Sequence, residues 1–166
     1  DFDRAVALTR EAGIALAPTF VAFTPWTTLE GAIALLERLI ELQLVESVPP
    51  VQLGIRLLVP EGSYLLRLPG FREQLMDFDP ALLGYPWEHA DPRVDRLQQD
   101  IQAGVARFDK DGLSRREVFA AIWRMTHLAA GRTAPDSAGE RGTPIPRLSE
   151  AWYCCAEPTD QQLQSF

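Results

Sequence analysis

Apolar residues recur at helical spacing in four parts of the chain and alternate with polar ones in a fifth. Residues 5–12, with Val6 and Leu8 apolar and Gly13 as a stop, predict a short helix. Residues 28–44 carry Ile33, Leu36, Leu39, Ile40 and Leu44 on one broad face, and Thr27 with Glu30 has capping-box spacing before them. Ser47-Val48-Pro49-Pro50 ends that segment, because proline disfavours helix in the residue before it. Asp91-Pro92 starts a third helix, with Asp as the cap and Pro at the first helical position, running to about Phe108 through Val94, Leu97, Ile101 and Val105. Ser114 and Glu117 open a fourth, residues 115–130, which turns Val118, Ile122, Met125 and Leu128 inward.

Two segments read as strands. Residues 14–23 are apolar and rich in β-favouring types, with Thr19, Phe20, Val21 and Phe23 the strongest part and Pro18 at the strand start or a bulge. In residues 51–58, Val51, Leu53, Ile55 and Leu57 face one way and Gln52, Gly54 and Arg56 the other. Two strands joined by a helix make a βαβ unit, which implies parallel pairing and an α/β fold. In a barrel the Gln52/Gly54/Arg56 face would look into the lumen and border a cavity. In an open sheet it would be a surface face. Two strands alone do not form a stable sheet, and the chain opens abruptly on Asp1. Both features suggest the later part of a larger α/β unit. Elsewhere Pro60-Glu61-Gly62-Ser63 is a turn, 64–68 a short apolar segment, 71–91 a packed loop and 131–148 a Gly-, Pro- and Thr-rich connection.

Composition narrows the partners. A net charge of -7 argues against a general nucleic-acid binder. No apolar run reaches the roughly 18–20 residues of a membrane span, and no secretory leader is visible. The two cysteines, Cys154 and Cys155, are adjacent and cannot build a disulfide framework, which makes a reducing, cytoplasmic setting the default.

Four candidate chemistries remain. Asp109-Lys110-Asp111-Gly112 resembles a calcium loop but fails the twelve-position count, and reads as a helix–helix turn. His89 and His127 have no metal-ligand spacing. The turns that end the two strands supply Thr24, Trp26, Thr27, Glu61 and Ser63, with Arg56 aimed at the same rim, where α/β proteins bind ligands. A guanidinium there could hold a carboxylate or phosphate. The Cys154-Cys155 pair is open to three readings: a metal or cluster site, a redox or nucleophilic pair, or an incidental tail.

Three stretches together resemble one family: Pro-Thr-Phe-Val-Ala-Phe-Thr-Pro-Trp-Thr-Thr at 18–28, Val-Gln-Leu-Gly-Ile-Arg-Leu-Leu-Val-Pro-Glu-Gly-Ser at 51–63, and Ala-Trp-Tyr-Cys-Cys-Ala-Glu-Pro at 151–158. They look like the C-terminal half of a radical S-adenosylmethionine (radical SAM) protein of the Cys-Cys-Ala-Glu-Pro tail type. In some members selenocysteine replaces the second tail cysteine, here Cys155. The resemblance implies the C-terminal portion of a partial TIM-like (β/α)6 barrel over residues 1–68, a helical extension over 69–130, and a linker and Cys-Cys tail over 131–166. It also implies S-adenosylmethionine and a [4Fe–4S] cluster in the full-length protein, which generate a 5′-deoxyadenosyl radical that acts on an unspecified small-molecule or peptide substrate. Arg56, Thr24, Trp26, Glu61 and Ser63 would border the cofactor or substrate. Cys154 and Cys155 would do redox, nucleophilic or metal-ligating work. The family's Cys-x3-Cys-x2-Cys cluster motif is absent. The chain alone is therefore expected to hold no cofactor and to need the missing N-terminal half as its partner. The alternative is a helical interaction or regulatory module with a redox- or metal-sensitive thiol tail.

Overall fold

Residues 1–136 are described by a computed structural model. Among them are four α-helices: α1 (Phe2–Glu11), α2 (Leu29–Glu41), α3 (Pro92–Lys110) and α4 (Arg115–Ala129). Three 3-10 turns, Pro50–Gly54, Tyr64–Arg67 and Arg72–Gln74, lie between α2 and α3. None of the four helices is long and apolar enough to cross a membrane.

The local signals that set the later helices are capping bonds. Asp91 accepts from Arg93 N–H at 3.0 Å and precedes Pro92, so α3 starts with an acceptor for its free donors and a preset φ. Ser114 and Glu117 form a complete capping box at α4. The turn between them is Asp111-Gly112, with Gly112 at φ +70°, and Asp109 and Lys110, expected in that turn, are the last residues of α3. For α2 the cap is Thr28, whose hydroxyl accepts from Gly31 N–H at 2.9 Å, one residue later than the expected Thr27.

The expected α/β architecture is corrected by this arrangement. The described residues contain no strand and no sheet, so no portion of a TIM-like (β/α)6 barrel is seen. Residues 14–22 are irregular, and the alternating segment 51–58 opens instead as the 3-10 turn Pro50–Gly54. The reason lies in the bonds available. A strand needs a ladder on at least one edge, and these segments share backbone–backbone bonds only at Phe23, whose N–H donates to Ile55 carbonyl (2.9 Å) and whose carbonyl accepts from Leu57 N–H (2.8 Å); Phe20 N–H goes instead to the Gln52 side chain at 3.4 Å. The Phe23 contact is parallel, as the sequence suggested, but it is a single bridge. Upstream of the bridge the backbone is wound into the Pro50–Gly54 turn, with Gln52 N–H donating to Pro49 carbonyl at 2.9 Å, so it is not extended to continue the pairing.

The main core lies between α2, α3, α4 and the 50–54 turn, and includes Leu36, Leu39, Leu53, Leu97, Ile101, Ile122 and Trp123. The supposed lumen face is inside it. Gln52 and Gly54 are buried, and a Cβ on Gly54 would sit 3.2 Å from Ile101 Cγ2. Gly54 is thus needed for close packing of the 50–54 turn on α3. A gap of about 10 Å³ beside Phe23, Leu53 and Ile122 has room for about one water-sized sphere, far below a ligand pocket. On α4, Leu128 is 77% exposed, whereas Phe119, Trp123, Thr126 and His127 are buried with Val118 and Ile122. A second, smaller core of Val59, Phe71 and Trp87 holds the 57–87 region together.

Candidate functional site

The most concentrated polar chemistry among the described residues gathers around Arg56. Its Nη1 donates to Asp95 Oδ1 at 2.6 Å, and its Nη2 donates to the Trp87 carbonyl. The guanidinium also lies over the Trp87 ring, 3.5 Å from the centroid. The second Asp95 oxygen accepts from His89 N–H at 2.8 Å, and the Trp87 indole N–H donates to Leu57 carbonyl at 2.8 Å. The side chains of Arg56 and Asp95 are 13% and 19% exposed, so this ion pair is largely withdrawn from water. Its geometry joins three regions: the 55–57 segment bonded to Phe23, the 85–91 loop and the first turn of α3.

This knot can orient the chain. A ligand anion would have to compete with Asp95 and Trp87 for Arg56, at the cost of leaving a mostly buried carboxylate without its cation. The expected role of Arg56 as an anion-holding group thus coincides with a structural tie. Neither partner was found from the sequence, because Trp87 and Asp95 lie 31 and 39 residues away. The one available signal was Trp87-Glu88-His89, an aromatic and polar run just ahead of the Asp91 cap.

The remaining candidates are placed as follows. Thr24 and Thr27 form a closed turn: Thr24 N–H donates to Thr27 Oγ1 (2.9 Å), the two hydroxyl oxygens are 3.1 Å apart, and Thr27 Oγ1 donates to Ala22 carbonyl (3.1 Å). Trp26, 51% exposed, stacks on Phe71 with centroids 5.1 Å apart. Ser63 caps the Tyr64–Arg67 turn by accepting from Leu65 N–H at 3.3 Å. Glu61 is exposed at the preceding turn. Trp26 thus reaches the 57–87 region through Phe71, and Arg56 reaches it through Trp87. Thr24 and Ser63 are occupied in their own turns. Cys154 and Cys155 lie outside the described residues.

No family model matches the chain, and neither the curated proteins nor the solved structures yield a match.

Both histidines are engaged. His89 Nδ1 lies 2.9 Å from Asp91 N and accepts its N–H, which leaves the proton of the neutral ring on Nε2. His127 is buried with Nδ1 2.9 Å from Trp123 carbonyl, and its ring lies 4.1 Å from the Trp123 ring, centroid to centroid. At the cap of α3, the Arg93 guanidinium and backbone N–H hold the Asp91 carboxyl down at about 2. Ser114 lowers the Glu117 carboxyl at α4 by donating to it.

The donor set also bears on the implied cofactors. The [4Fe–4S] cluster that the resemblance implies takes three cysteines spaced Cys-x3-Cys-x2-Cys, and this sequence has two, side by side. These two residues do not fit that cluster.

Proposed function

We propose that this chain is the C-terminal part of a radical S-adenosylmethionine protein of the Cys-Cys-Ala-Glu-Pro tail type, and that it is not catalytically competent alone. The observation that carries the reading is the sequence Ala-Trp-Tyr-Cys-Cys-Ala-Glu-Pro at 151–158, taken with the two segments at 18–28 and 51–63. The parallel contact of Phe23 with Ile55 and Leu57 supports treating those two segments as neighbours. The substrate-modifying radical would be made by a preceding portion of a longer polypeptide, which is the partner this reading requires. The described residues would act as a helical scaffold, with the Arg56–Asp95–Trp87 knot fixing the Phe23–Leu57 contact to α3. Cys155, at the position where the family exchanges cysteine and selenocysteine, would do redox, nucleophilic or metal-ligating work with Cys154.

A second reading has its own support. A helical interaction module with a redox- or metal-sensitive thiol tail fits four helices whose candidate polar groups are largely used within the fold, and whose apolar Trp26, Tyr64 and Leu83 stay exposed. Reading the coding sequence upstream of Asp1 separates the two. A Cys-x3-Cys-x2-Cys segment in the same reading frame is the expected result. A start codon directly at the boundary would sink the radical reading and leave the module.

A further inference from the structure

The His89 ring stands between the two polar ends of one residue. Its Nδ1 lies 2.9 Å from Asp91 N and 3.1 Å from the Asp91 carbonyl oxygen. A neutral ring with its proton on Nε2 accepts the Asp91 N–H at Nδ1. A ring protonated on both nitrogens has no acceptor there, and the same Nδ1 can only donate, to the carbonyl. Histidine is the side chain whose charge ordinarily changes between about pH 5 and 8. The chain's other histidine differs. His127 Nδ1 faces the Trp123 carbonyl at 2.9 Å, a group that only accepts, so one bond serves both charge states.

The two ends of Asp91 belong to different peptide planes with different freedom. The N–H lies in the Ala90–Asp91 peptide, and Ala90 is exposed. The carbonyl lies in the Asp91–Pro92 peptide, where the proline ring presets φ and Val94 N–H already donates to that carbonyl at 3.0 Å. A carbonyl oxygen has two lone pairs, so it can take the ring as a second donor. The His89 backbone is held independently, since its N–H donates to Asp95 Oδ2 at 2.8 Å. The charged groups around the ring are the Asp91 carboxylate, which takes Arg93 Nη2 at 2.7 Å, Asp95, which takes Arg56 Nη1 at 2.6 Å, and the exposed neighbour Glu88. Each of the two aspartates thus already carries a guanidinium. We infer that His89 is a proton-operated latch at the joint between the 85–91 loop and α3. A proton taken from solvent onto Nδ1 moves the hold of the ring from the Asp91 N–H to the Asp91 carbonyl. The Ala90–Asp91 peptide is then released to water, while the start of α3 stays capped. The inference goes beyond the proposed function and does not rest on radical chemistry.

The test is nuclear magnetic resonance on the full 166-residue chain, labelled with nitrogen-15 and followed across pH. The Cε1–H resonance of His89 reports the titration of the ring itself. Above its midpoint, a coupling through the hydrogen bond should join Asp91 N to His89 Nδ1. Below it, that coupling should vanish. Over the same step the protection of the Asp91 amide, corrected for intrinsic exchange, should fall about five- to tenfold, as for the loss of one hydrogen bond. The Val94 amide should keep its protection throughout. In His89→Ala the Asp91 amide should lack that protection at every pH. Should this variant disturb the loop, the coupling in the unaltered chain decides alone. Absence of the coupling above the midpoint overturns the inference, as does an Asp91 protection that does not follow the ring. Loss of Val94 protection together with that of Asp91 also overturns it, because the start of α3 would then open with the loop. A step that survives in His89→Ala would assign the titration to another group and overturn it too. None of these outcomes bears on the coding-sequence test above, so the two readings fail separately.

Discussion

Removing Asp95 is the sharpest perturbation of the Arg56 knot. Asp95→Ala deletes the acceptor of a 2.6 Å charge-assisted bond from Arg56 and of a 2.8 Å bond from His89 N–H. A hydrogen bond involving a charged group contributes about 1.5–3 kcal/mol, and a neutral one about 1 kcal/mol. Arg56 is 13% exposed, so water can replace Asp95 only in part, and the Trp87 carbonyl and ring still partner it. We expect a loss of about 2–4 kcal/mol, short of the upper range for a fully buried pair. For a domain of this size that lowers Tm by about 5–15 °C. Arg56→Met is expected to cost a similar amount, because it strands Asp95 and removes the cation over Trp87. The double variant should cost less than the sum by at least about 1 kcal/mol, since each single change leaves an uncompensated charge that the double change removes. Urea unfolding followed by circular dichroism gives all four corners of this cycle. Losses under about 0.5 kcal/mol for both single variants, or additivity, would refute the view that Arg56 is a structural tie.

Other consequences are open to direct measurement. Gly84→Ala should loosen the 57–87 region, because the new methyl would lie 2.9 Å from both Leu58 Cδ1 and Val59 carbonyl. A loss of about 1–3 kcal/mol is expected, with faster hydrogen exchange at Tyr85, whose N–H donates to Val59 carbonyl at 2.8 Å. No change in exchange there would contradict that packing. Asp91, held at about 2 chiefly by Arg93, has a folded pKa below its ordinary value. Its stabilising contribution is therefore present above the ordinary carboxylate range and is lost as pH falls toward about 2. Asp91→Ala should flatten the acid limb of the stability–pH curve, and an unchanged limb would show that the cap does not titrate as described.

The sequence made the helices legible and the sheet misleading, for one physical reason. A helix closes its bonds within itself, so Asp91-Pro92 and Ser114/Glu117 announce their ends locally. A strand needs a partner elsewhere in the chain, and alternation alone cannot say whether one exists. Residues 51–57 alternate, yet Gln52 and Gly54 are buried in the helical core and Arg56 turns to Asp95. The parallel relation of Phe23 to residues 55–57 was legible because the helix between them fixes direction; its reduction to one bridge was not. The face of α4 was misjudged between neighbouring helical positions: Val118 and Ile122 continue inward to Thr126 rather than toward Leu128. The Arg56 knot stayed hidden because it depends on contacts 31 and 39 residues apart.

The functional account turns on what the 166-residue chain can do without a preceding portion. Anaerobic reconstitution with iron and sulfide, followed by optical and Mössbauer spectroscopy and a 5′-deoxyadenosine assay, measures this directly. With two adjacent cysteines and no three-cysteine motif, the chain is expected to hold no stoichiometric [4Fe–4S] cluster and to leave S-adenosylmethionine intact. One cluster per chain, with 5′-deoxyadenosine released on reduction, would contradict the account.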